Sequence, residues 1–163
     1  MPFIIAWLAG LLLVPIVRKA ALKLGLVDHP NTRKIHTHPI PRVGGVAIFL
    51  AGLMGCLPFL VPEEKIVSVL MAGFFIFLVG LVDDLYDLPA NLKFSCQVLA
   101  CLGLFYYNVR IEFVTDFIAG EGLVAVGAFT YPLTLLWIIG LTNTINLIDG
   151  VDGLAGGIVF IAL

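Results

Sequence analysis

The chain has 163 residues, 61% of them hydrophobic and 12% charged, with a mean hydropathy of +1.11 and a formal net charge of −2. Soluble domains carry about 25% charged residues, so a water-soluble globular fold is excluded and an integral membrane protein is expected. No basic face or aromatic–basic interleaving is present, which removes nucleic acid as a partner.

In chain order, apolar runs predict helices over residues 3–17, 43–61, 66–82, 92–108 and 131–148, with the start of a sixth at 154–163. A membrane crossing needs about 20 apolar residues, so several runs borrow from their flanks. Arg18 and Lys19 follow the first run instead of preceding it. That order argues for a retained first helix with its N-terminus outside, and against a cleaved leader. Residues 110–130 differ from the rest: partial alternation and β-prone stretches around Gly120 and Gly122 predict a short external β-hairpin. The expected fold class is an all-α polytopic membrane protein. It has five transmembrane helices plus the start of a sixth, residues 1–163 forming a single transmembrane domain. Cys56, Cys96 and Cys101 lie inside apolar runs without metal-ligand spacing and read as small buried hydrophobes.

Three polar islands interrupt these runs, at residues 28–45, 83–87 and 143–153. The parity of the helices puts all three on one side of the membrane, in connections 18–42, 83–91 and 149–153. That side carries Arg18, Lys19, Lys23, Arg33, Lys34, Arg42 and Lys93, against Lys65 and Arg110 on the other. Lysine and arginine favour the cytoplasmic side, so the islands are expected at the cytoplasmic face of a cell membrane.

Asp83, Asp84 and Asp87 place three carboxylates within five residues. Like charges so close call for a cation. Mg²⁺, with Mn²⁺ as an alternative, suits one or two carboxylates plus substrate phosphates. A solvated acidic helix end facing Lys93 explains the same residues equally well. Asp149 and Asp152, punctuated by Gly150 and Gly153, follow Asn143 and Asn146 by one to two turns. Taken alone they read as Asp-Gly turns, but five carboxylates on one face are hard to explain by structure only. The first island supplies the opposite charge. Arg33, Lys34 and Arg42, beside Gly44 and Gly45, suit a phosphate, although a basic loop on anionic lipid would look similar. Cations for phosphate and carboxylates for a divalent ion suggest phosphoryl transfer at the membrane surface, without a Walker A loop or a kinase motif set.

The strings Asp28-His-Pro-Asn-Thr-Arg-Lys-Ile-His36, Pro41-Arg-Val-Gly-Gly45, Gly80-Leu-Val-Asp-Asp-Leu-Tyr-Asp87 and Asn143 to Leu154 resemble the polyprenyl-phosphate N-acetylhexosamine-1-phosphate transferases. The resemblance covers essentially the whole chain and points to the branch that uses UDP-N-acetylglucosamine or a related UDP-sugar. It implies Mg²⁺-dependent transfer of a sugar-1-phosphate to polyprenyl phosphate, undecaprenyl in bacteria, with release of UMP as a first membrane step of a cell-envelope polysaccharide. By motif, Asp83 and Asp84 are the catalytic residues and, with Asp149, the metal ligands. Lys34, Arg42, Asp87, Asn143, Asn146, Asp149 and Asp152 are the substrate-binding set. A homodimer is compatible with this reading.

Family members continue beyond this chain with more helices, a further cytoplasmic aspartate and a His-rich loop, so these 163 residues alone are expected to be inactive. The competing readings are a phospho-N-acetylmuramoyl-pentapeptide transferase, which usually has a basic residue where Asp87 stands, and a non-enzymatic membrane protein or transporter. Transporters place ionisable groups near the bilayer midplane. Here Gln97 is the most polar side chain clearly inside a run.

Overall fold

The computed structural model describes residues 1–28, 40–41, 43–116, 122–148 and 154–162. Among them are six α-helices: α1 (Pro2–Leu24), α2 (Gly44–Cys56), α3 (Glu64–Tyr86), α4 (Ala90–Tyr106), α5 (Thr130–Ile148) and α6 (Leu154–Ala162). Two short antiparallel ladders join β1 (Val27–Asp28) to β2 (Ile40–Pro41), and β3 (Phe113–Thr115) to β4 (Leu123–Ala125). The chain divides into two compact units, Met1–Lys93 and Phe94–Leu163.

Helix ends depart from the apolar runs in both directions. α1 does not stop at residue 17 but carries Arg18, Lys19 and Lys23 as helix to Leu24. Arg, Lys, Ala and Leu all favour helix, and being charged does not break one. The helix stops where Gly25 takes a left-handed φ of 71° and Leu26 N–H turns back to the Ala21 carbonyl at 2.9 Å. α3 likewise runs past residue 82 to Tyr86, bringing Asp83 and Asp84 into the helix. α2 is shorter than its run. It gives way to a 3₁₀ turn at Leu57–Phe59, where Pro58 lacks the N–H that a continuing helix requires. By length and apolarity, three helical segments among the described residues can cross a membrane: Pro2–Leu24, Glu64–Tyr86 and Gly127–Ile148. Gly44–Phe59 is apolar but shorter. α4 has 17 residues, or about 25 Å at 1.5 Å per residue.

The first unit is held by small residues. Ala47, Ala51 and Gly55 recur every fourth position of α2 and are buried, as is Ala9 of α1. A Cβ on Gly55 would come 2.6 Å from Ala6 Cβ and 2.7 Å from the Pro2 carbonyl oxygen, so the α2 backbone meets α1 there with room for nothing larger than the glycine. Membrane helices associate in this way because lipid removes the hydrophobic drive that packs large side chains in water. Those large side chains point outward instead, Phe3 at 72% and Leu12 at 68% exposure. Phe49 of α2 stacks on Phe77 of α3 with centroids 4.1 Å apart.

In the second unit the expected hairpin forms, with Phe113 opposite Ala125, Val114 opposite Val124 and Thr115 opposite Leu123. Its base is tied to α5. The Thr134 hydroxyl accepts Ile111 N–H at 2.8 Å and donates to the Thr130 carbonyl at 2.7 Å. Arg110 donates to Glu112 and to the Tyr131 hydroxyl, and lies over the Tyr131 ring. The hydrogen bond that Arg110 donates to Glu112 holds its guanidinium above its ordinary pKa range. All three cysteines are free, and Cys56 is exposed where a buried position was expected.

Candidate active site

The last turn of α3 carries two adjacent carboxylates at an unfavourable place. Helix C-termini concentrate negative partial charge and favour cations. Here the final turn contains no basic residue and two aspartates. The strain is met from two directions. Asp83 Oδ1 accepts the Leu88 backbone N–H at 2.9 Å, and Asp83 Oδ2 pairs with Lys93 Nζ at 3.0 Å. The pair is partly exposed, at 22% for the Asp83 side chain and 32% for Lys93. Lys93 belongs to the first turn of α4, which only three residues separate from the end of α3.

Asp84 is exposed beside this pair. Asp87 does not continue the helical face of Asp83. It caps α3 in a left-handed conformation (φ 51°), its N–H still bonded to the Asp83 carbonyl at 2.8 Å. A non-glycine residue there is uncommon, and aspartate tolerates it better than most. No group of three His, Cys, Asp or Glu side chains able to hold a metal forms among the described residues. Asp83 and Asp84 are adjacent oxygen donors at an electronegative helix end, and the Lys93 ammonium stands where positive charge is wanted. Carboxylate oxygens are the donor type that a divalent cation takes together with substrate phosphates.

Near the end of α5, Asn143 and Asn146 are exposed. Asn143 Nδ2 donates to Gln97 Oε1 at 2.8 Å and to the Ile139 carbonyl at 2.8 Å. Gln97 is nearly buried, at 9% exposure. The isolated amide at position 97 in an otherwise apolar run was the signal for this contact, but the sequence alone does not say which helix supplies the partner.

Of the other sequence-derived candidates, Lys34, Arg42, Asp149 and Asp152 lie outside the described residues. For the first island the structure describes its base, where Val27 pairs with Pro41 and Asp28 with Ile40.

The family model for glycosyl transferase family 4 matches residues 66–163. Across nearly the whole chain, similarity extends to a Bacillus subtilis protein named "Probable undecaprenyl-phosphate N-acetylglucosaminyl 1-phosphate transferase", 39% identical over 99% of this chain and 45% of that protein. An undecaprenyl-phosphate alpha-N-acetylglucosaminyl 1-phosphate transferase of Yersinia pestis is 35% identical over 88% of this chain and 39% of its own length. A decaprenyl-phosphate N-acetylglucosaminephosphotransferase of Mycobacterium tuberculosis is 36% identical over 87% and 38% respectively. The chain thus spans less than half the length of these relatives. No solved structure matches.

Proposed function

The chain belongs to glycosyl transferase family 4, and from that premise we propose that the complete protein transfers N-acetylglucosamine-1-phosphate from UDP-N-acetylglucosamine to a polyprenyl phosphate. The observation that carries this reading is the pair of carboxylates in the last turn of α3, placed against the helix dipole and answered by Lys93. The names of the similar proteins supply the acceptor class and the transferred group.

In the proposed reaction an oxygen of the lipid phosphate attacks the β-phosphorus of the UDP-sugar. The bond from that phosphorus to the bridging oxygen breaks, UMP leaves with the electron pair, and the sugar stays on the lipid through a diphosphate. The chemistry needs positioning and charge neutralisation more than covalent help. A bound Mg²⁺ would neutralise the diphosphate and the charge developing on the UMP oxygen. Asp83 and Asp84 would hold that ion at the helix end, and one of them takes the role of base toward the acceptor or, in a two-step scheme, of nucleophile. Asn143, Asn146, Asp149 and Asp152 serve the nucleotide, Asp87 also serves substrate, and Lys34 and Arg42 serve phosphate. The charge asymmetry of the loops supports a cytoplasmic active face.

The test is reconstitution of the full-length protein with UDP-N-acetylglucosamine, undecaprenyl phosphate and Mg²⁺. UMP release that depends on both substrates and stops with a chelator is the expected result. Turnover only with UDP-N-acetylmuramoyl-pentapeptide, or none with either donor, overturns the proposal.

A further inference from the structure

Gln97 and Asn143 fix each other's orientation. A backbone carbonyl can only accept, so the Asn143 atom 2.8 Å from the Ile139 oxygen is the amide nitrogen. That same nitrogen lies 2.8 Å from the Gln97 side chain, which must therefore present its oxygen. Both N–H bonds of Asn143 are then used inside the protein. Its own oxygen faces Gln97 Nε2 at 3.5 Å, at the weak end of hydrogen-bond range. An oxygen has two lone pairs, so exposed Asn143 retains acceptor capacity and no spare donor.

Depth supports a built arrangement. Gln97 follows the start of α4 at Ala90, and Asn143 precedes the end of α5 at Ile148. At 1.5 Å per residue each lies roughly 7–11 Å inside its helix. An amide there is expensive unless it is bonded, and Gln97 is the buried member while Asn143 is the accessible one.

We propose that Gln97 is a positioning residue, holding the Asn143 carboxamide with its oxygen available to substrate. This rests on the proposed UDP-sugar transfer. Asn143 then selects a donor group of the nucleotide-sugar, the imide N–H of the uracil or a hydroxyl, and does not bind a phosphate oxygen. Gln97 touches no substrate and acts through Asn143.

The experiment is kinetic and uses the full-length enzyme. Gln97→Met keeps the length of the side chain without its acceptor, and Gln97→Leu serves as a second variant. Each is expected to raise KM for UDP-N-acetylglucosamine about 10-fold, the loss of one net hydrogen bond, with kcat and the polyprenyl-phosphate KM nearly unchanged. Because Gln97 works through Asn143, the double variant Gln97→Met, Asn143→Ala should be no worse than Asn143→Ala alone. Additive losses, or a parallel fall in kcat and rise in both KM values, would make Gln97 a plain inter-helix contact and overturn the proposal. The orientation is read separately as slow solvent exchange of the Asn143 side-chain amide protons by nitrogen-15 NMR in detergent. Fast exchange in the wild-type protein also overturns it. A wild-type enzyme that shows this protection yet releases no UMP refutes the proposed function and the substrate role of Asn143, while the pairing itself stands.

Discussion

Lys93 Nζ lies 3.0 Å from Asp83 Oδ2, so a cation of the chain itself sits against a carboxylate that the proposed function gives to a metal. Under that proposal the two uses compete. Exposed ion pairs are worth about 0–1 kcal/mol, so Lys93→Met should change thermal stability little. It should instead lower the Mg²⁺ concentration needed for half-maximal UMP release by the full-length enzyme, by a few-fold. An unchanged or higher requirement would show that Lys93 does not compete for Asp83. In the same assay Asp83→Asn and Asp84→Asn should each reduce turnover at least about 100-fold with the protein still folded in membrane. Retained turnover in both rules out the roles given to them.

Gly55 sits at the closest approach of α1 and α2. A methyl group there would lie 2.6 Å from Ala6 Cβ and 2.7 Å from a backbone oxygen, and the backbone atom cannot step aside. Gly55→Ala is expected to destabilise the helix pair by about 1–3 kcal/mol, the usual cost of overpacking. Gly52→Ala, with open space around it, should be neutral or slightly stabilising. Thermal unfolding in detergent separates them, and equal midpoints would refute the close contact. Ala6→Gly in the Gly55→Ala background should restore part of the loss but not all, since the Pro2 oxygen remains.

How much of this was legible in the sequence depends on whether the property was local. Six helices and a hairpin follow from apolar runs and turn residues, because each run meets its own solvent. Helix ends were misjudged where charge was taken as the end of structure: Arg18 to Leu24 and Asp83 to Tyr86 are helical, since helix propensity does not track hydropathy. Pairings between helices were not legible. Asp83 and Lys93 lie ten residues apart across a proline turn and could be guessed. Gln97 and Asn143 are 46 apart, and nothing local says that α4 and α5 adjoin. The α1–α2 seam was hidden for another reason: alanine and glycine at fourth positions stand out only once lipid is accepted as the solvent.

The Thr134 hydroxyl is nearly buried at 3% exposure and is shared between Ile111 N–H and the Thr130 carbonyl. Thr134→Val keeps the shape and removes the oxygen, leaving the Ile111 N–H without its acceptor. The expected cost is about 1–3 kcal/mol, visible as a lower unfolding midpoint and faster amide exchange over residues 111–115. Thr134→Ser keeps the hydroxyl and should recover most of the loss. If Val and Ser behave alike, the hydroxyl does not anchor the hairpin.

The sidedness of the membrane is the most exacting test of the proposed function, because a UDP-sugar is made and held in the cytoplasm. Leu123 on the hairpin and Leu147 at the end of α5 are both highly exposed, at 71% and 84%, and α5 separates them by a membrane-length segment. With the three native cysteines replaced, Leu123→Cys should react with a membrane-impermeant maleimide on intact cells. Leu147→Cys should react only after permeabilisation. A Tyr86→Cys probe, exposed at the end of α3, should follow Leu147. Labelling of Leu147→Cys or Tyr86→Cys from outside would put the carboxylates of α3 or the amides of α5 on the wrong side for the donor. The lysine and arginine asymmetry would then need another cause, and transfer from a cytoplasmic nucleotide-sugar could not occur at these residues.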